Sequence, residues 1–186
     1  LYNFCRTLDD IADDNSDLEI KKEQFLEFKK DFSNKNFENP IIKNMWDLLE
    51  NEKISKVVVD DLFDGVEGDL ENEVKINSQK DLLVYSYRVA GTVGLMMAKI
   101  FNIKKKESLQ RAMYLGIAMQ LTNIARDVIE DGKKNRVYLV NYTKDTLVNI
   151  KKIIYTADTF YNSSFVGIKD IPLNCRFSII VARRVY

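Results

Sequence analysis

Histidine is absent from the 186 residues of this chain. The absence excludes Ser/His/Asp triads, Cys/His dyads and HExxH zinc sites. Acid–base or metal chemistry must then use carboxylates, tyrosines, lysines or groups of the substrate itself. The 28 aspartates and glutamates are hard oxygen donors, so they favour Mg²⁺ or Mn²⁺ as the metal.

The chain also has few cysteines and no net charge. Cys5 and Cys175 lie far apart without a CxxC partner, so neither a disulfide framework nor a cysteine zinc site is indicated. Lys and Arg number 28 and balance the acids, giving a formal net charge of zero. Without a basic field across the sequence, we expect no nucleic-acid partner.

Only two prolines and seven glycines interrupt the chain, and apolar residues recur mainly at helical spacing. The stretch "VKINSQ" is too short to indicate a sheet, and "NSQKDLLVY" offers Asn77 or Ser78 as a helix N-cap. The sequence therefore predicts an all-α fold in a single domain spanning residues 1–186. The predicted helices lie near residues 2–14, 17–31, 41–50, 54–64, 79–101, 106–131, 143–165 and 172–186.

The two ends of the chain suggest a fragment. The sequence opens without Met, shows no signal-peptide pattern, and stops inside a predicted helix. Its most apolar stretch, Leu82 to Phe101, contains Tyr85, Tyr87 and Arg88. We interpret that stretch as a buried helix rather than a membrane span.

Aspartates recur at a spacing of four residues in "LDDIADD", where Asp9 and Asp13 share one helix face. Like charges at this spacing are unfavourable unless a cation or a basic partner compensates them. For an isolated pair a solvated helix face is the more common explanation, and we interpret Asp60 with Asp64 in that way.

A second pair occurs in "QLTNIARDVIED". Gly116, Gln120, Asn123, Asp127 and Asp131 fall in one stripe of the predicted helix, and largely apolar residues fill its other side. The stripe lacks the mixture of Lys and Glu typical of a solvated face. Gly116 leaves room for a bulky group above the stripe. An exposed acidic strip remains the alternative interpretation.

Small residues recur in "YSYRVAGTVGLMMA", at Ala90, Gly91, Gly94 and Ala98. They permit either close helix packing or space for a long apolar ligand with Tyr85 at its mouth. Two acidic helices could hold two or three Mg²⁺ ions that bind a diphosphate, with Arg6 adding a phosphate contact.

Four segments resemble the squalene/phytoene synthase family, and more closely its bacterial phytoene synthases. They are "YNFCRTLDDIADD", "YSYRVAGTVGLMMA", "LGIAMQLTNIARDVIEDGKKNRVYL" and "YNSSFVGIKDIPLNCRFSIIVARRVY". The resemblance implies an isoprenoid-synthase-type helical bundle around a central active-site cavity. It also implies head-to-head condensation of two prenyl diphosphates, through a cyclopropyl intermediate, to phytoene in carotenoid biosynthesis.

The resemblance assigns roles residue by residue. Asp9, Asp13, Asp127 and Asp131 would bind Mg²⁺, with Asp10 as a further ligand, and Tyr85 joins the four aspartates as a catalytic residue. Asp69 falls at another position that faces the site. The positions implied to surround the diphosphates are Tyr2, Arg6, Tyr85, Gln120, Asn123, Arg126 and Tyr186. Those implied to face the prenyl chains are Val89, Ala90, Gly94, Leu115 and Met119.

The same resemblance implies partners and location. The substrates would be prenyl diphosphates, no nicotinamide is expected for phytoene formation, and the final base would be the released diphosphate or a tyrosine. We expect a cytoplasmic protein, with peripheral membrane association compatible with its greasy product; the oligomeric state is left open. The chain departs from the family in lacking its first helix and in carrying Val140 where a proline is usual, so this polypeptide by itself could be inactive.

Two alternatives stay open. Within the family, the chain could be a squalene or presqualene diphosphate synthase that uses farnesyl diphosphate. From a different class, it could be a non-catalytic helical relative, in which loss of either acidic pair would change little.

Overall fold

The computed structural model describes residues 1–14, 16–139 and 145–185, and the backbone alone for residues 182–185. Its contacts divide the chain into two compact units, Leu1–Asn72 and Glu73–Tyr186. The single domain of the sequence analysis stays a prediction.

The described residues of the first unit form four helices: α1 (Tyr2–Asp13), α2 (Leu18–Ser33), α3 (Pro40–Asn51) and α4 (Lys56–Gly68). Helix α3 starts where the sequence predicts, because the Asn39 side chain accepts a hydrogen bond from the Ile41 N–H and Pro40 occupies the first helical position. Ser55 caps α4 in the same way, through the Val57 N–H.

Aromatic side chains form the core of this unit. Phe4 of α1 packs against Phe28 and Phe32 of α2 and Phe63 of α4, with ring centroids 5.4 to 5.7 Å apart. Phe32 also stacks on Trp46 of α3. Such rings bury large apolar areas and pack with defined geometry, so they fix the orientation of α1 about its axis.

The described residues of the second unit form five α-helices and a short parallel ladder. The helices are α5 (Gln79–Ser86), α6 (Thr92–Ile100), α7 (Lys106–Lys133), α8 (Thr146–Phe165) and α9 (Leu173–Val185). A π-helical turn, Tyr87–Gly91, joins α5 to α6, and a 3₁₀ turn, Ile168–Asp170, precedes α9. Strands β1 (Val74–Lys75) and β2 (Arg136–Val137) pair in parallel, with Val74 opposite Arg136.

Helix α7 is the centre of the second unit. Its buried residues Leu121, Ile124 and Val128 share one hydrophobic cluster with Ile153 and Ala157 of α8. Their spacing of three and four residues places them on one stripe, which a partner helix can cover. Among the described residues, no helix combines the length and the apolar character needed to cross a membrane.

The all-α prediction is confirmed, with differences in detail. The predicted helix 79–101 contains the π-helical turn, and Ser78 is its N-cap through the Asp81 N–H. The predicted start of the 143–165 helix lies outside the described residues, and the described part begins at Thr146. "VKINSQ" does contribute a strand, because the two residues of β1 find a partner far along the chain in β2.

Candidate active site

The first acidic pair of the chain lies on helix α1, on the side opposite the residues that the helix buries. Phe4, Leu8 and Ala12 are buried at intervals of four residues, whereas Asp9 and Asp13 are exposed. Because α1 is anchored through Phe4, the two carboxylates are held on the outer face of this unit. The predicted shared face of Asp9 and Asp13 is confirmed.

The two carboxylates of this pair influence each other. Partial desolvation, and next the negative charge of Asp13, raise the pKa of Asp9 above its ordinary value. Arg6 lies one turn away and opposes this effect, but its guanidinium is 2.8 Å from Asp10. A divalent cation would remove the repulsion between Asp9 and Asp13, so the pair suits a metal.

Asp10 and Arg6 are therefore paired with each other, and their roles as metal ligand and phosphate contact stay predictions. Tyr2 is 77% exposed on the same helix. Asp69 is the C-cap residue of α4, and its role in the site is likewise a prediction. Tyr186 lies outside the described residues.

The second acidic pair lies on the polar stripe of α7. Gln120, Asn123, Asp127 and Asp131 are all partly buried there, which excludes a fully solvated strip. Arg126 forms a bidentate pair with Asp127, with both N···O distances at 2.6 Å. The hydrogen bond from Arg126 lowers the pKa of Asp127, so this carboxyl stays ionised.

The side-chain oxygen of Asn123 lacks the hydrogen bond that a buried acceptor usually has. This Oδ1 atom is buried, and none of the described residues donates a hydrogen bond to it. A buried acceptor without a donor costs free energy, which a cation or an incoming donor would recover. Asn123 precedes Asp127 by one turn, so an amide and a carboxylate oxygen lie in the same row, and both are ligands that Mg²⁺ takes.

These residues fit a Mg²⁺ ion by their chemistry. Within the described ranges, however, three or more acidic or cysteine side chains do not converge on one point. Asp9 and Asp13 belong to the first unit and Asp127 and Asp131 to the second, so each pair offers two carboxylates within its own unit. The binding of metal by these four residues stays a prediction.

The residues predicted to face prenyl chains surround the π-helical turn and α7. Val89 and Ala90 belong to the turn and are half-buried. Leu115 and Met119 of α7 are also half-buried and pack, like Tyr85, against the main cluster of this unit. Tyr85 stacks on Tyr138, with ring centroids 4.8 Å apart. The structure thus gathers these side chains in one part of the second unit.

The glycines, by contrast, serve helix packing. A Cβ on Gly116 would lie 2.2 Å from the Ala90 carbonyl oxygen, and one on Gly94 would lie 2.4 Å from that of Ala112. The interpretation that Gly116 leaves room for a bulky group is therefore wrong, because the backbone of the π-helical turn occupies that room. At Gly94 the packing alternative holds, and contact with a prenyl chain stays a prediction.

Two further features of the region differ from the sequence-based interpretation. Ile129 is one of the apolar residues that the helical period places opposite the polar stripe, but it is 74% exposed. Thr92 and Tyr138 were not singled out, although Thr92 is fully buried beside the π-helical turn and Tyr138 covers Tyr85. The only signal for them was their place within the segments "VAGTVG" and "RVYL".

Comparison with known proteins identifies the family. The model of the squalene/phytoene synthase family matches residues 1–141. The chain belongs to the squalene/phytoene synthase family. Membership makes it a prenyltransferase-type enzyme with an isoprenoid-synthase helical fold, as the sequence predicted.

Individual family members agree with this assignment. A phytoene synthase of Pseudescherichia vulneris is 31% identical over 215 residues, an alignment that covers the whole chain and 69% of that protein. A presqualene diphosphate synthase of Rhodopseudomonas palustris is 29% identical over 141 residues, covering 75% of the chain and 50% of that protein. The crystal structure of a dehydrosqualene synthase superposes with a TM-score of 0.76 at 27% identity, covering all of this chain and 71% of the other.

Proposed function

We propose that this protein joins two molecules of geranylgeranyl diphosphate head to head, forming phytoene through prephytoene diphosphate in carotenoid biosynthesis. The observation that carries the proposal is the polar stripe of α7. There the buried Asn123 oxygen has no donor among the described residues and precedes ionised Asp127 by one helical turn. The family match supports the reaction type. The likeness over the full chain to a phytoene synthase supports the product.

Asp9 and Asp13 of the first unit, and Asp127 and Asp131 of the second, would bind Mg²⁺. The metal would supply positive charge that neutralises a departing diphosphate. Arg6 and Arg126 are exposed guanidiniums beside these acids, which suits them to bind phosphate oxygens in a bidentate manner. Gln120 and Asn123 would then contact the diphosphates from the α7 stripe.

The reaction balances without a redox partner. The carbon–oxygen bond of one allylic donor breaks, diphosphate leaves, and the double bond of the second donor captures the cation. Loss of one proton closes the cyclopropane of prephytoene diphosphate. Its own diphosphate then leaves, the carbon skeleton rearranges, and loss of a second proton gives phytoene. Two diphosphates and two protons are released, and no nicotinamide is consumed.

Since the chain lacks histidine, the proton acceptor must be another group. The released diphosphate is one candidate and the Tyr85 hydroxyl is the other. Stacking on Tyr138 holds the Tyr85 ring in place. The half-buried Leu115 and Met119 would exclude water from the cations, which water would otherwise trap as alcohols.

A second candidate is the condensation of farnesyl diphosphate to presqualene diphosphate or squalene. The similarity to a presqualene diphosphate synthase and to a dehydrosqualene synthase favours it. Squalene formation would differ in its last step, because a nicotinamide hydride replaces the final proton loss.

Product analysis tests both candidates. The purified protein is incubated with Mg²⁺ and either geranylgeranyl or farnesyl diphosphate, with and without NADPH, and both the hydrocarbons and the cyclopropyl diphosphates formed are identified by mass spectrometry. We expect phytoene from geranylgeranyl diphosphate without NADPH. If farnesyl diphosphate gives product and geranylgeranyl diphosphate does not, the second candidate is established. Absence of any product would contradict both and leave the non-catalytic relative as the better account.

A further inference from the structure

The helix that runs from Gln79 to Ile100 changes its hydrogen-bond pattern at one place. The Thr92 N–H donates to the carbonyl of Tyr87, five residues earlier. In a regular α-helix it would donate to the carbonyl of Arg88, four residues earlier. Such π-helical turns are uncommon and are enriched at functional sites.

The Thr92 side chain compensates for this change. Its Oγ1 donates to the Arg88 carbonyl at 2.7 Å, so the hydroxyl takes the place of the displaced N–H. Thr92 is fully buried, which makes the hydroxyl unable to exchange this acceptor for water. Ser86 makes a similar bond to the Leu82 carbonyl at 2.8 Å. Ser86 lies in regular α-helix, where a backbone N–H also donates a hydrogen bond to the Leu82 carbonyl.

Helix α7 holds the other side of the turn. The Ala90 carbonyl points at Gly116 so closely that a Cβ there would be 2.2 Å from its oxygen. A Cβ on Gly91 would lie 3.0 to 3.3 Å from Tyr87, Met113 and Ile117. The turn is therefore fixed from within by Thr92 and from outside by α7.

The register of this turn determines where its side chains lie. A π-helical turn inserts one residue relative to an α-helix, and one residue corresponds to a rotation of about 100°. Val89 and Ala90 belong to the turn, and Tyr85 precedes it. If the turn became α-helical, the side chains before and after it would be rotated relative to each other, and they would no longer face α7 as they do now.

We propose that Thr92 is a positioning residue for the prenyl chain: its buried hydroxyl maintains the π-helical turn that holds Val89 and Ala90 against the substrate tail. The inference rests on the proposed function, and it adds a residue that is among neither the proposed metal ligands nor the proposed diphosphate contacts.

Binding of two ligands separates this role from a general structural one. The probes are inorganic diphosphate and geranylgeranyl thiolodiphosphate, an unreactive analogue with a full tail, each titrated calorimetrically with Mg²⁺. We expect Thr92→Val to weaken binding of the analogue by about 10-fold or more, since displacement of positioned contacts has effects of this order. The affinity of this variant for inorganic diphosphate should stay at the wild-type value, and Thr92→Ser should bind the analogue as tightly as the wild type does.

Two controls match the substitution. Ser86→Ala removes a buried hydroxyl-to-carbonyl bond from the α-helical part of the same helix. Thr156→Val makes the identical change where Thr156 donates to the Lys152 carbonyl on the surface. Both should bind the analogue as the wild type does. If Thr92→Val does not fold, Thr92→Cys gives the same comparison with a weaker donor of similar shape.

The outcomes are distinct. If the wild type binds neither probe, the proposed function fails, and the role of Thr92 fails with it. If the wild type binds both probes, the inference alone is overturned by either of two results. One is full affinity of the Thr92 variant for the analogue, and the other is an equal loss for both ligands.

Discussion

Replacement of Gly116 by alanine tests how α7 meets the π-helical turn. The added Cβ would lie 2.2 Å from the oxygen and 2.7 Å from the carbon of the Ala90 carbonyl. Both are backbone atoms and cannot rotate away. Since real Cβ contacts essentially never fall below 3.0 Å, the two helices must separate by at least 0.8 Å at this point.

The magnitude follows from two opposing effects. Overpacking of a well-packed interior costs about 1–3 kcal/mol. Alanine recovers about 1 kcal/mol of helix propensity relative to glycine. Because the obstacle is backbone, we expect the cost to lie in the upper part of its range, so that Gly116→Ala lowers the free energy of unfolding by about 1–2 kcal/mol.

Urea unfolding followed by circular dichroism measures this change. Gly68→Ala is the matched control, because a Cβ at Gly68 meets nothing within 4 Å. It should leave stability unchanged or raise it by up to about 1 kcal/mol. A Gly116→Ala variant as stable as the wild type that nonetheless loses affinity for a prenyl chain would refute the packing argument. It would revive the interpretation of Gly116 as space for a ligand.

Two further predictions concern the carboxylates. Desolvation and the charge of Asp13 raise the pKa of Asp9, so in the absence of metal stability should fall as pH rises from the unfolded-state pKa to the folded one. Asp9→Asn should remove that slope in urea midpoints measured across pH; an unchanged slope would contradict the assignment. Arg126 lowers the pKa of Asp127, and the resulting stability is present above the unfolded-state pKa and lost as pH falls through the folded one. Arg126→Met should raise the pKa of Asp127 in an NMR titration and cost at most about 1 kcal/mol, because the Arg126 side chain is 59% exposed.

Much of the fold could be predicted from local chemistry. The helices of the first unit follow apolar spacing, and α3 begins at Asn39-Pro40 because both residues act within one turn of the chain. The shared faces of Asp9 with Asp13, and of Asp127 with Asp131, follow from the same period. These features depend on neighbours in sequence, so the sequence contains the information that determines them.

Features that depend on distant neighbours could not be predicted in this way. The π-helical turn needs the buried hydroxyl of Thr92 and the close approach of Gly116, and neither is visible in hydrophobic spacing. The pairing of Val74 with Arg136 joins segments 62 residues apart. Local patterns also did not reveal the exposure of Ile129 or the unpaired oxygen of Asn123.

The acidic pairs of the sequence also differ in what surrounds them. Asp60 lies 2.5 Å from Lys56, and Asp64 lies 3.5 Å from Lys29. Lysine thus compensates both charges, in agreement with their interpretation as ordinary surface residues. In the α7 pair, Asp127 follows a buried and unpaired amide oxygen by one turn. The two acidic pairs have the same spacing in sequence, and the groups around them in the structure distinguish one from the other.

Magnesium-dependent binding of diphosphate tests the central claim most directly. Calorimetric titration with inorganic diphosphate, with and without Mg²⁺, is compared between the wild type and the Asp127→Asn/Asp131→Asn variant. Asp60→Asn/Asp64→Asn serves as the control with the same spacing and the same loss of charge. We predict that Mg²⁺ strengthens binding to the wild type and to the control, and that the α7 variant loses this dependence. Equal Mg²⁺-dependent binding by all three proteins would contradict the assignment of Asp127 and Asp131 as metal ligands.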